Sequence, residues 1–277
     1  MEVRYSPDLN GFKKMDTNEL RNSFLIDTLF KKDRVEMVYS DIDRSITGSA
    51  VPVKKVLKLI ATKKEMAADY FTERREIGVI NIGAKGMVNL DGKNVVMESF
   101  DALYIGRGVK KVEFKSTSSK NPSKFYFVSY PAHKEYPSKL VKFAEATPVK
   151  LGSLKDSNSR TIYKYIHPGT METCQLVMGL TMLDEGSVWN TMPPHTHQRR
   201  SEVYMYFGLD ENSIVLHLLG SNEETRHIII RNEEAVLSTS WSMHSGCGTK
   251  NYSFIWAMGG ENQVFDDMDW ILMRDLK

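Results

Sequence analysis

The chain has 277 residues, 41% hydrophobic and 26% charged, and 37 basic against 35 acidic side chains leave a formal net charge of +2. That is a soluble globular composition, long enough for one large or two medium domains, and it is too balanced to suggest a nucleic-acid partner, which needs a concentrated positive patch. No apolar run approaches the ~20 residues that span a bilayer, the opening MEVRYSPDLNGFKK lacks the apolar core of a secretory signal, and Cys174 and Cys247 alone make no disulfide framework, so the expected setting is the cytoplasm, with no membrane partner.

Helix signals are sparse. DTNELRNSFLIDTLF, residues 16–30, predicts a helix capped by Asp16 or Thr17, with Leu20, Phe24, Ile26 and Leu29 near one face. Residues 54–68 predict a weaker one, and the basic stretch VKKVLKLIATKK at 53–64 reads as a solvated face. Elsewhere the pattern is of short strands: EIGVINIG at 76–83, GMVNLDGKNVVM at 86–97, KFYFVSY at 124–130, TCQLVMGL at 173–180, EVYMYFG at 202–208, SIVLHLLG at 213–220 and YSFIWAM at 252–258. Asp91-Gly92 predicts a tight hairpin turn. Many short strands with regular turns indicate an all-β sandwich or barrel.

An internal repeat organises these strands. Offset by 125 residues, YFTERREIGVINIG (70–83) lies over HTHQRRSEVYMYFG (195–208); offset by 140, YIGRGVKKVEF (104–114) lies over HSGCGTKNYSF (244–254). Two similar β-domains follow, with a boundary in the polar stretch EATPVKLGSLKDSNSR: residues 1–145, which keep no metal ligands, and residues 146–277, which carry them.

The ligand pattern begins at PPHTHQRRSE. His195 and His197 are two apart, so on a strand both side chains share a face. Glu202 opens the next strand with Tyr204 and Tyr206 on its face, and His244 lies in WSMHSGCG before a glycine turn. Three imidazoles and a carboxylate make a divalent metal site with room for water or substrate, suiting zinc, iron, manganese or nickel. In the upstream copy Tyr70, Thr72, Ile77 and Tyr104 replace all four. His167, in YKYIHPGTMETCQ, is a further candidate for function, whereas His133, His217 and His227 read as ordinary pocket or surface histidines.

His-X-His, four residues, Glu, five residues, Gly, then a distal His resembles the metal motif of the cupin superfamily, whose members are double-stranded β-helix barrels. The stretches ERREIGVINIG, DALYIG, TCQLVMGLT, WNTMPPHTHQRR, RHIIIRNEEAV and GENQVFDDMD are similar, over the whole chain, to the 5-keto-4-deoxyuronate isomerase family. The resemblance implies a bicupin: two jelly-roll barrels with short helices, assembled as a homohexamer. It implies one zinc ion per subunit on His195, His197, Glu202 and His244. It also implies a keto-uronate substrate of pectin and uronate catabolism, isomerised to 3-deoxy-D-glycero-2,5-hexodiulosonate.

Such a ketol isomerisation needs a proton moved between C2 and C1, by way of a cis-enediolate, while charge on oxygen is stabilised; a metal-assisted hydride shift is the other route. Tyr206, His167 and Tyr204 are the candidate proton carriers, with a metal-bound hydroxide as a further possibility. Arg160, Lys164 and Arg199 are the candidates for the substrate carboxylate, although the Arg-Arg pair at 74/75 recurs at 199/200 and points to a structural role for at least one member. The motif alone is shared by oxygen-using metal enzymes, a dioxygenase or oxidase, and is compatible with a sugar-binding bicupin without catalysis. There is no Gly-X-Gly-X-X-Gly between strand and helix for a nicotinamide and no Gly-X-Ser-X-Gly elbow.

Overall fold

The stretch expected as one helix over 16–30 ends after eight residues. In a computed structural model, which describes residues 1–264 and 266–277, the helix is Thr17–Phe24, followed directly by the strand Leu25–Ile26. Asp16 accepts from the Glu19 amide while the Glu19 carboxylate accepts from the Asp16 amide, a closed capping box. Leu20 and Phe24 are buried one turn apart; Leu25 and Ile26 are both buried too, and a run without polar alternation suits a covered strand better than a helix face. Residues 54–68 likewise hold only the strand Leu57–Lys58 and the one-turn helix Lys63–Met66, because Leu57 is buried against a partner strand opposite Phe114. The hairpin at Asp91-Gly92 joins Gly86–Leu90 to Lys93–Met97, with both turn residues at positive φ, +50° and +95°.

The chain divides into two units. Unit 1 is Met1–Val3, Thr28–Ala146 and Tyr165–Val177; unit 2 is Arg4–Asp27, Thr147–Lys164 and Met178–Lys277. In unit 1 a seven-stranded sheet runs Glu2–Arg4, Val35–Ser40, Ile46–Ala50, Phe125–Pro131, Arg75–Asn81, Ala102–Ile105, Lys139–Val141. A four-stranded sheet runs Leu57–Lys58, Val112–Ser116, Gly86–Leu90, Lys93–Met97. In unit 2 the seven-stranded sheet is Pro148–Leu151, Arg160–Ile166, Val177–Leu183, Ser253–Gly260, Arg200–Phe207, Glu234–Ser238, Leu25–Ile26. Its five-stranded companion is Glu224–Ile230, Val215–Ser221, Met243–Gly248, Trp189–Thr196, Asp269–Trp270.

These sheets correct the expected jelly-roll bicupin. The structure is built of mostly antiparallel sheets with few short helices, in a cupin-like manner, but no sheet closes into a barrel. Closure requires the outer strands to bond across the gap. Among the described residues every sheet instead ends on an open edge strand, several only two or three residues long. Within the smaller sheet of unit 2 the strand Trp189–Thr196 is itself interrupted. It pairs with Met243–Gly248 at Asn190 and at His195, with a register shift between them. Pro193 and Pro194 lie inside that gap and have no amide hydrogen to give.

Glycine is required where the large sheet of unit 2 packs closest. A Cβ on Gly179 would stand 2.1 Å from the Trp256 ring and 2.6 Å from the Tyr163 carbonyl oxygen. Gly179→Ala should therefore destabilise the protein by about 1–3 kcal/mol through overpacking, read as a lower Tm in thermal unfolding. An unchanged Tm would mean that Trp256 has somewhere else to go.

Candidate metal centre

Strand alternation assembles the site. Along the large sheet of unit 2, alternate residues share a face: Val149 and Leu151; Arg160, Ile162 and Lys164; Thr181; Phe254, Trp256 and Met258; Glu202 and Tyr204. All of them line one cavity of about 330 Å³. The second sheet contributes Thr191, His195 and Trp270, with His197 just beyond its strand, and Asp266 and Met268 complete the wall. The cavity thus lies between the two sheets of one unit.

At its inner end His195, His197, Glu202 and His244 bring one donor atom each to within 4.8 Å of one another, all four residues buried. His195 Nε2 stands 3.0 Å from His197 Nε2 and 3.1 Å from His244 Nε2. Glu202 Oε2 lies 3.2 Å from His197 Nε2 and 2.7 Å from His244 Nε2. Donors around a tetrahedral metal stand roughly 3.3–3.6 Å apart, so the four close pairs, at 2.7–3.2 Å, would open by about 0.1–0.9 Å around a cation. Without a cation the facing imidazole nitrogens share at most one proton per pair, which leaves lone pairs turned toward one another. The donor set therefore fits a divalent metal.

The electrostatics agree. Burial, then His244, pulls His195 down to about 2, so its ring is neutral. Burial would raise Glu202, but His244 and His197 overcome it and hold the carboxyl below its usual range. For His197 burial works downward, but Glu202 and Asp267 outweigh it and raise the imidazole.

The far sides of two rings are held. His197 Nδ1 lies 2.7 Å from Asp267 Oδ1, and Asp267 Oδ2 accepts from Arg200 Nε at 2.9 Å and from Asn262 Nδ2 at 3.0 Å. His244 Nδ1 meets Ser238 Oγ at 3.1 Å, and the Trp270 ring stands edge-on to His195, centroids 5.0 Å apart. The sequence reading missed Asp267, Ser238 and Trp270. GENQVFDDMD carried resemblance but no spacing that ties an aspartate 70 residues on to His197.

The other expected site residues divide. Arg160, Lys164 and Tyr204 line the cavity. Arg160 donates to the Asn158 carbonyl at 2.9 Å, and burial lowers its guanidinium. The Tyr204 hydroxyl is 3.3 Å from Thr191 Oγ1, and burial, then Glu202, raises it well above the usual tyrosine value. Tyr206 is wholly buried and absent from the lining; its hydroxyl meets His217 Nδ1 at 2.7 Å. Burial pulls that histidine down to about 3.

Arg199 does not line the cavity. It precedes the strand Arg200–Phe207, so the parity counted from His197 is lost in the turn, and its exposed side chain faces Glu261 at 3.7 Å. His167 belongs to unit 1, where Gly169 N donates to its Nδ1 at 3.1 Å and Thr170 Oγ1 lies 2.7 Å from its Nε2. Its segment is held there by the buried Glu76 carboxylate, which accepts the amides of Cys174, Gln175 and Leu176 at 2.7–2.9 Å.

Known proteins match this chain along its full length. The profile of the KduI/IolB family matches residues 25–273. The 4-deoxy-L-threo-5-hexosulose-uronate ketol-isomerases of Lachnoclostridium phytofermentans and Caldicellulosiruptor bescii are 56% and 52% identical to it over 277 residues, covering 100% of both chains in each case. That of Halalkalibacterium halodurans is 50% identical over the same length. Among solved structures, an IolB-like protein from Salmonella typhimurium superposes with a TM-score of 0.71 at 10% identity, over 90% of this chain and 97% of that one. Oxalate decarboxylase OxdC of Bacillus subtilis does so with a TM-score of 0.56 at 8% identity, over 79% and 70%; at such identities these two speak for the fold alone. With a matching profile over most of its length and relatives above half identity from end to end, the chain belongs to the KduI/IolB family.

Proposed function

We infer that this protein is a ketol-isomerase acting on 4-deoxy-L-threo-5-hexosulose uronate. The observation that carries the reading is identity of 50–56% over the whole of three relatives of that name. The cavity supports it: a buried His-His-Glu-His cluster stands at one end of a pocket that also presents Arg160 and Lys164. We propose that the cluster holds zinc, one ion per chain, that the product is 3-deoxy-D-glycero-2,5-hexodiulosonate, and that the working form is a cytoplasmic homohexamer.

A bound divalent cation would polarise the substrate carbonyl as a Lewis acid. The chain's own residues do the rest. Arg160 and Lys164 meet the carboxylate, and the charge-assisted bonds orient the chain of carbons toward the cluster. Apolar walls from Ile162, Trp256 and Met258 exclude water around the reacting carbons. Tyr204 is the proton donor of this reading: its hydroxyl is in the wall beside Glu202 and keeps its proton at neutral pH, so it can donate to a substrate oxygen as charge develops there. Asp267 positions His197: by holding Nδ1 it directs Nε2 into the cluster.

The deciding experiment is incubation with freshly prepared 4-deoxy-5-ketouronate, following substrate and product by NMR with oxygen uptake and metal content measured in parallel. Turnover without oxygen consumption, with about one zinc per chain, is expected; oxygen uptake, or no turnover with metal bound, would refute the isomerase. Tyr204→Phe should lose about 10²–10⁴-fold in kcat with metal content unchanged, and Arg160→Met should mainly raise KM, by roughly tenfold or more.

Metal affinity supplies an independent measurement. Asp267→Asn should weaken it about 10–100-fold in chelator competition. Because His197 is raised, it holds its proton to higher pH than a free imidazole, and that proton competes with the cation. Affinity should therefore rise between about pH 6 and pH 8. A flat profile would show that no proton on His197 competes with the cation in this range.

A further inference from the structure

Each unit buries an arginine at the same place in its sheet. Arg75 and Arg200 each open the fifth strand of a seven-stranded sheet, paired at that residue with the fourth, at Pro131 and Gly260. Arg200 is 1% exposed and Arg75 8%. In unit 2 the charge is met: the Asp267 carboxylate accepts from both Nε and Nη2 of Arg200. In unit 1 no carboxylate among the described residues lies in ion-pair range of Arg75. Its Nε donates to Ser129 Oγ at 3.0 Å, and its Nη2 to the carbonyls of Ser129 at 2.8 Å and of Arg44. All these acceptors are neutral, and Nη1 takes part in none of the bonds.

Arg75 lines a cavity of about 450 Å³ within unit 1. Arg44, Lys64 and Arg74 share its wall with the apolar Ile46 and Phe71. Glu65 is also there, but its carboxylate is taken by the Met1 amino group at 2.8 Å and by Thr62. Arg74 is spoken for by Glu73 and by the carbonyls of Met66 and Ala67. A buried cation without a counter-charge is strongly unfavourable, and burial alone pulls Arg75 down to about 10. The metal-free copy has thus kept the buried arginine and a pocket before it, but not the acid.

We propose that this cavity binds a small organic carboxylate, of hexuronate size or less, whose carboxylate group stands against Arg75 as Asp267 stands against Arg200. One buried guanidinium with apolar walls suits a monoanion with a carbon body. The volume lies in the range of small-molecule pockets. This is a second ligand site, distinct in unit and in residues from the histidine cluster.

D-glucuronate is the probe. It would be soaked into crystals of the full chain and titrated calorimetrically against wild type, Arg75→Met and Arg44→Ala, with thermal unfolding as the control for folding. The expected result is density for the carboxylate on Arg75 Nη1 and a saturable site that Arg75→Met removes. Arg44→Ala, whose exposed side chain holds no other residue, should weaken that site at least about fivefold by loss of a nearby positive charge. If Arg75→Met fails to fold, the wild-type density and Arg44→Ala decide. Equal binding by all three proteins overturns the proposal. So does density without saturable binding in solution, which is binding at crystal concentration only, and so does an Asp or Glu side chain of a second copy found seated on Arg75.

Discussion

Everything at the centre of unit 2 depends on four donor atoms being brought together on buried residues beside the cavity. Three imidazole nitrogens and a carboxylate oxygen lie within 4.8 Å, on residues that are all buried. A cation would accept these lone pairs at once, provided that the backbone does not let the rings turn away. Two sheets supply that rigidity. Glu202 sits inside the strand Arg200–Phe207, bonded on both sides, and His244 inside Met243–Gly248, opposite Leu219 and His195. The rings are then fixed from behind, His197 by Asp267 and His244 by Ser238.

The same alternation that aims Glu202 inward aims Tyr204 and Tyr206, and depth sorts their roles. Tyr204 reaches the cavity, whereas Tyr206 is sealed against His217. On Arg160–Ile166, separated from Arg200–Phe207 by two strands of the same sheet, Arg160 and Lys164 share their parity with Ile162, so a basic and an apolar wall come from one strand. Cations along the wall and the histidine–glutamate cluster thus come together around one cavity.

Asp267 links chemistry and architecture. It answers the charge of the buried Arg200, holds His197, and belongs to a segment that supplies Asp266, Met268 and Trp270 to the cavity wall. Unit 1 shows what the framework looks like without it: the same kind of buried arginine with neutral acceptors and, among the described residues, no cluster of potential metal ligands. The two halves share a strand order, yet one built a metal-binding cluster and the other kept a basic pocket.

The sequence by itself determined what depends on period and residue type. Alternation marked the strands, the 125-residue repeat paired Arg75–Asn81 with Arg200–Phe207, and the His-X-His spacing with Glu202 and His244 singled out the four residues that the fold brings together. Helix lengths were overread, because an apolar run such as Phe24-Leu25-Ile26 is ambiguous until its burial on a sheet is known. Closed barrels were expected from the resemblance, but closure is decided by hydrogen bonds between strands distant in sequence, and Pro193 and Pro194 interrupt the pairing of one strand beside the cluster. Only the tertiary structure could decide that His167 is tied into unit 1 by Glu76, that Arg199 faces Glu261 in place of the cavity, and that Asp267 stands behind His197. Each of these is a contact between segments far apart in the chain, and no local spacing encodes such a contact.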